Sequence, residues 1–147
     1  MMGRRSVWLI DGDAHDIRLT QRAFRQAGLD HDLEVVRSVD EALISLLSHK
    51  GDRGASPGAR PALILLDTSQ LPVDLCETVR RLKQAPQMKR TPILILATSG
   101  CADEVRRAYE AGANAYLVKP IDSRRFALLM AQIGAFWLEL VELPFDW

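Results

Sequence analysis

The segment Pro61-Ala62-Leu63-Ile64-Leu65-Leu66-Asp67 restricts the fold more than any other part of the chain, because four large aliphatic residues in succession end abruptly at a carboxylate. A run without polar alternation suits a parallel strand covered on both faces. Asp67 then stands where the strand leaves the core, the edge at which open α/β sheets place their ligands. Ser6-Val7-Trp8-Leu9-Ile10 before Asp11 and Pro92-Ile93-Leu94-Ile95-Leu96 before Ala97 are built in the same way. Three strand ends are therefore expected to converge at one edge.

Helical spacing fills the intervals. Ile17, Leu19, Ala23, Phe24 and Ala27 predict a helix over about 14–27, closed by Gly28. Leu33 to Val36 reads as a short strand, and Ser38-Val39-Asp40-Glu41 as a capping box opening a helix with Ala42, Leu43, Leu46 and Leu47 inward, ending near His49. Gly51 to Arg60, with three glycines and a proline, has the composition of a surface loop. A third helix over Val73 to Gln84 carries Leu75, Val79 and Leu82 and is stopped by Pro86. A fourth carries Val105, Ala108 and Tyr109 and ends at Gly112, and Ala115 to Val118 is the fifth strand. After Lys119-Pro120 a long apolar helix from Asp122 repeats Phe126, Leu129, Met130, Ile133, Phe136, Trp137 and Leu140 at threes and fours. Strands alternating with helices imply an α/β fold with a parallel sheet, right-handed crossovers and helices on both faces.

Composition excludes several function classes. A chain of 147 residues, 48% hydrophobic, holds one good core, so one domain is expected over 1–147, with its body at about 5–134 and a C-terminal extension beyond. Nineteen basic residues balance nineteen acidic ones, which leaves no net field to draw the chain onto nucleic acid or an anionic membrane. No signal peptide or membrane span is visible, so a cytoplasmic protein is expected. Cys76 and Cys101 lack metal-ligand spacing and are expected to pack.

With these elements in place, Asp67 after strand three, Asp11 after strand one, Lys119-Pro120 after strand five, Tyr116 three residues before that lysine, and Glu110-Ala111-Gly112-Ala113-Asn114 resemble the receiver domain of two-component response regulators. The tracts Asp16 to Thr20, Tyr109 to Pro120 and Phe136-Trp137-Leu138-Glu139 are closer still to the small regulators paired with phytochrome-type histidine kinases. The resemblance implies a flavodoxin-like doubly wound sheet of order 2-1-3-4-5. It implies that Asp67 accepts a phosphoryl group from a sensor histidine kinase, that Lys119 neutralises it, and that Asp11, Asp67 and the backbone carbonyl of Ser69 hold Mg2+. A hard cation and an ammonium are what this chemistry needs, since an acyl phosphate crowds several negative charges beside neighbouring carboxylates. A cis bond before Pro120 is a further expectation.

The chain also departs from that family. Gly12 replaces the second acid, leaving Asp13, one place on, as the candidate to reach the cation directly or through water. The switch hydroxyl, thirty positions past Asp67, falls on Ala97, with Thr98 and Ser99 displaced after it; Tyr116 is the switch aromatic. Leu71 stands where the family has proline, with Pro72 next, and Leu75 where it has glycine. Weak Mg2+ binding is expected with one carboxylate fewer.

Two other readings use the same residues. Asp11-Gly12-Asp13 resembles the opening of haloacid-dehalogenase-type phosphohydrolases, with Asp11 as nucleophile and Asp13 as general acid, but Asp67 then has no role. Alternatively the receiver fold persists as a phosphorylation-independent binding module. A homodimer is expected through helix four, strand five, helix five and a C-terminal arm, as in the phytochrome-associated regulators, with Phe136, Trp137 and Ile133 at its centre, Arg106, Arg107 and Glu110 beside them, and Val141, Leu143, Phe145 and Trp147 continuing beyond.

Overall fold

The computed structural model describes residues 5–50, 60–69 and 74–144, with only the backbone of 47–50. The inward side chain expected of Leu47, the loop at 51–59, and the readings of Leu71, Pro72, Val73, Phe145 and Trp147 lie outside the described residues. The elements are β1 (Ser6–Ile10), α1 (Ala14–Gln26), β2 (Asp32–Val36), α2 (Val39–Lys50), β3 (Leu63–Asp67), α3 (Leu75–Gln84), β4 (Ile93–Ala97), α4 (Ala102–Ala111), β5 (Ala115–Val118) and α5 (Ser123–Ile133), with α5 prolonged by a π-helical segment over Gly134–Leu140. All strand pairs are parallel, in the order β2-β1-β3-β4-β5, so the fold is the flavodoxin-like receiver architecture.

Two cores flank the sheet, and strand parity assigns residues to them. Trp8, Ile10, Ile64, Leu66, Ile93, Ile95 and Ala97 pack under α2, α3 and α4. Val7, Leu9, Leu63, Leu65, Leu94 and Leu96 pack under α1 and α5. β1, β3 and β4 are buried at every position, which is why their apolar runs show no alternation. The α2 capping box forms with a shifted return bond: Glu41 N–H donates to Ser38 Oγ at 3.1 Å, whereas the Glu41 carboxylate accepts from Arg37 N–H at 3.0 Å. Gly28 and Gly112 end α1 and α4 with φ of 72° and 119°, where a Cβ would be strained.

Several expectations need correction. Leu19 is 40% exposed, because it lies about 200° around the helix from Ile17, and Thr20 takes the inward position instead. α3 begins at Leu75, since the Asp74 carboxylate accepts from Cys76 and Glu77 N–H and so caps the helix there. Tyr109 faces outward at 48% exposure, while Ala108 alone of α4 is fully buried. Cys76 packs as expected, but Cys101 is exposed at the start of α4. Among the described residues there is no cis peptide, so Pro120 follows a trans bond, the ordinary form for X–Pro.

The C-terminal helix departs most from its pattern. Continued α spacing would carry the buried series Phe126, Met130, Ile133 to Trp137, yet Leu138 is the buried residue and Trp137 is half-buried. The π turn, marked by the Val141 N–H donating to Phe136 C=O, lengthens the step from Ile133 to five residues and rotates Phe136 and Leu140 outward. Ile133, expected in a dimer interface, follows the α spacing from Phe126 and Met130 and packs in the core. Gly134 lets this helix approach Leu29, three residues past α1, closely: an added Cβ would lie 2.4 Å from Leu29 Cδ2, so that side chain would have to shift.

Candidate functional site

The register of the sheet builds the site. Ile10 pairs with Leu66 and Asp67 with Leu96, so Asp11 and Asp67 emerge at the same level from adjacent strands. Asp11, Asp67 and Lys119 share the strand parity of the residues facing α1 and α5, and all three therefore project to that side. Backbone bonds fix the strand ends: Asp11 N–H donates to Val36 C=O, Thr68 N–H to Leu96 C=O, and Lys119 N–H to Ala97 C=O at 2.7 Å.

Asp67 is fully buried, and both its oxygens accept hydrogen bonds. Ser69 N–H donates to Oδ1 at 2.9 Å, and the Lys119 ammonium donates to Oδ2 at 2.5 Å. Lys119 also stands 3.9 Å from Asp16 Oδ2. Asp11 is equally buried; its Oδ1 accepts from Asp13 N–H at 2.9 Å, but its Oδ2 has no partner. Burial pushes the Asp11 carboxyl up to about 7, and the charges of Asp67 and Asp16 push the same way against the Asp13 N–H bond and Lys119.

The structure separates Asp13 from the carboxylates around Asp67. Its side chain accepts from His15 N–H at 2.8 Å and caps α1, and it is not among the three carboxylates that lie within 4.8 Å of one another. Asp16, to which sequence reasoning gave no role, comes in instead. Oxygens of Asp11, Asp16 and Asp67 lie within 4.8 Å of one another. Three carboxylates against one ammonium, with one carboxylate oxygen buried and unpartnered, suit a hard divalent cation such as Mg2+.

The switch positions divide between the two faces of the sheet. Ala97 is 2% exposed and packs with Ala108 under α4. Thr98 is exposed on the other side, where it lines a cleft of about 440 Å³ with Asp16, Lys119, Pro120 and Phe126. A displacement of one residue along a strand reverses the face, so Thr98 does not occupy the place of the missing hydroxyl. Tyr116 donates from its hydroxyl to Ser99 C=O at 2.8 Å, and its own N–H donates to the Tyr109 hydroxyl at 3.2 Å. Its phenol is held above its usual range by burial first, then by the neighbouring Glu104 and Cys101.

On the expected dimer face, Phe136 and Leu140 are 52% and 73% exposed, and Val118 and Leu128 are also open. Phe136 meets Trp137 edge to face at 5.4 Å. Arg106 on α4 pairs with Asp103 and Glu110.

Comparison with known proteins agrees with this geometry. The family model for the response regulator receiver domain matches residues 7–131. The chain is 35% identical to the response regulator Rcp1 of Synechocystis sp. over 138 residues, which cover 94% of this chain and 92% of that one. It superposes on the phosphorylated cyanobacterial phytochrome response regulator RcpA with a TM-score of 0.80 and 29% identity, covering 97% of this chain and 100% of that one. The Mn(2+)-bound form of Rcp1 gives a TM-score of 0.75 at 32% identity, over 96% of this chain and 99% of the other.

Proposed function

This chain belongs to the response regulator receiver domain family, and we propose that Asp67 accepts a phosphoryl group from a phytochrome-type sensor histidine kinase and that the modified protein signals in the cytosol by binding other proteins. The observation that carries this reading is the Asp67 carboxylate, buried at a strand end with the Lys119 ammonium 2.5 Å away. In the transfer, an Asp67 oxygen forms a bond to phosphorus as the bond from phosphorus to the kinase imidazole nitrogen breaks. Lys119 is placed to meet the charge of the arriving phosphoryl oxygens. Asp11 and Asp67, with the Ser69 carbonyl as a further donor, would hold a divalent cation, which would supply the rest of that positive charge.

The phosphohydrolase reading is the weaker one, because it gives no role to the buried Asp67 and its Lys119 partner, while the Asp13 side chain caps α1. A binding module independent of phosphorylation is favoured by one observation, the buried Ala97 methyl where the family's hydroxyl belongs. The exposed apolar residues Val118, Leu128, Phe136 and Leu140 support a homodimer built on β5, α5 and its extension.

The test is incubation of the full chain with acetyl phosphate and Mg2+, read by intact mass. The expected result is one phosphoryl group on the protein and none on Asp67→Asn. No modification, or equal modification of Asp67→Asn, would overturn the phosphoacceptor assignment.

A further inference from the structure

We propose that Asp16 is the second carboxylate of the cation site, supplying from α1 what Gly12 withholds from the end of β1. The inference rests on the cation reading given above, and the local hydrogen bonding explains how an aspartate three residues past the cap comes to serve it. Asp13 is the cap of α1, which places Asp16 at the third helical position. A Glu or Gln at that position ordinarily turns back to accept from the backbone N–H of the capping residue. That N–H is already taken, because Asp13 N–H donates to Asp11 Oδ1 at 2.9 Å. Asp16 is thereby released from the helix terminus, and its carboxylate lies with those of Asp11 and Asp67, the ligand atoms all within 4.8 Å of one another.

Two further observations point to a ligand. Asp11 is 0% exposed, yet its Oδ2 has no hydrogen-bond partner. A buried carboxylate oxygen without a donor is costly unless something positive meets it. Lys119 does not fill that role, since it donates to Asp67 at 2.5 Å and stands only within 3.9 Å of Asp16. Three carboxylates and one ammonium leave a formal charge of −2 when all are ionised, which one divalent cation balances.

The experiment is direct titration of the full-length protein with Mn2+, free ion being read by its electron paramagnetic resonance signal, so that no phosphoryl transfer is needed. Asp16→Asn is expected to weaken binding by at least about tenfold, the scale on which even outer partners of a metal act. Asp13→Asn, which keeps the helix cap, should bind as the wild type does. Gly12→Asp placed in the Asp16→Asn protein should restore most of the affinity. An Asp16→Asn protein with wild-type affinity, an equal loss in Asp13→Asn, or no recovery with Gly12→Asp would each overturn the assignment of Asp16. Wild-type protein that binds no Mn2+ would overturn the cation reading itself, and this assignment with it.

Discussion

The Lys119 ammonium, 2.5 Å from Asp67 Oδ2, joins the ends of β5 and β3 across the end of β4, which lies between them. It thus offsets buried negative charge at the end of β3. Replacing it by methionine leaves the fully buried Asp67 without its cationic partner. Removing one member of a buried pair typically costs about 3 kcal/mol or more. Urea denaturation of Lys119→Met at pH 8 with chelator should show a loss of that order, reduced by added Mg2+. A midpoint equal to that of the wild type would show that the ion pair is not needed to hold the site.

Asp11 sets a pH dependence of stability. Its carboxyl is raised from 3.8 to about 7 by burial and by the nearby carboxylates, so the folded protein keeps a proton that the unfolded chain releases. Between pH 4 and 7 the native state binds more protons, and stability falls as pH rises through that window, by up to about 4 kcal/mol. A divalent cation meeting Asp11 opposes the fall. Unfolding measured at pH 5 and pH 8 with chelator should therefore differ in this sense, with Mg2+ narrowing the gap and Asp11→Asn flattening it. Greater stability at pH 8 than at pH 5 without cation would contradict the assignment.

Ala97 would limit what a phosphoryl group on Asp67 could move. In receivers the hydroxyl at this place bonds the phosphate and draws its loop inward, and a methyl cannot. Tyr116 is meanwhile tied to that loop through Ser99 C=O. A beryllofluoride mimic of the phosphoryl group should therefore shift the Tyr116 and α4 amide resonances only slightly. Ala97→Thr should enlarge those shifts, at a cost of about 1–3 kcal/mol for the extra volume beside Ala108. Large shifts in the Ala97 protein after Thr98→Val would refute this account.

Gly134 permits the close approach of the C-terminal helix to Leu29. An added Cβ falls 2.4 Å from Leu29 Cδ2, the end of a side chain that has room to turn only at the expense of its packing. Gly134→Ala should cost about 1 kcal/mol, with Gly134→Val costing more, and Leu29→Ala should relieve part of either loss. Calorimetric melts of the single and double variants give the coupling, and strict additivity would mean that the two residues do not press on each other.

How much of this was legible in the chain follows from where the physics is local. β1, β3 and β4 announce themselves because burial on both faces leaves unbroken aliphatic runs, and the residues after them mark the sheet edge. Asp11 and Asp67 could therefore be placed at one edge from sequence, whereas Lys119 joined them only through the family resemblance, because β5 is not buried on both faces. Asp16 could not, because its position depends on Asp13 N–H bonding Asp11 rather than the helix's own third residue. The sequence signal was present in the three-residue spacing from Asp13 to Asp16, a cap followed by an acid, but its usual meaning is a closed capping box. Leu138 was missed for a similar reason. A π turn leaves no mark in a pattern of threes and fours, so the apolar stripe was carried on to Trp137.

The π turn also decides which residues a dimer has to use. With Ile133 and Leu138 committed to the core and Trp137 half-buried against it, the apolar surface left to a partner from this helix is Leu128, Phe136 and Leu140. Val118, half-exposed on the edge strand β5, is a further apolar residue left to water. A two-fold contact is self-complementary, so each of these residues is presented twice and a single substitution acts twice. Phe136→Ala combined with Leu140→Ser should therefore dissociate the dimer while leaving the fold intact, whereas Ile133→Ala should lower the melting temperature because it opens the core. Light scattering behind size-exclusion chromatography at tens of micromolar separates the two effects. A wild-type protein that elutes as a monomer, or a Phe136→Ala/Leu140→Ser protein that stays dimeric, would remove this surface from the account of how the protein signals.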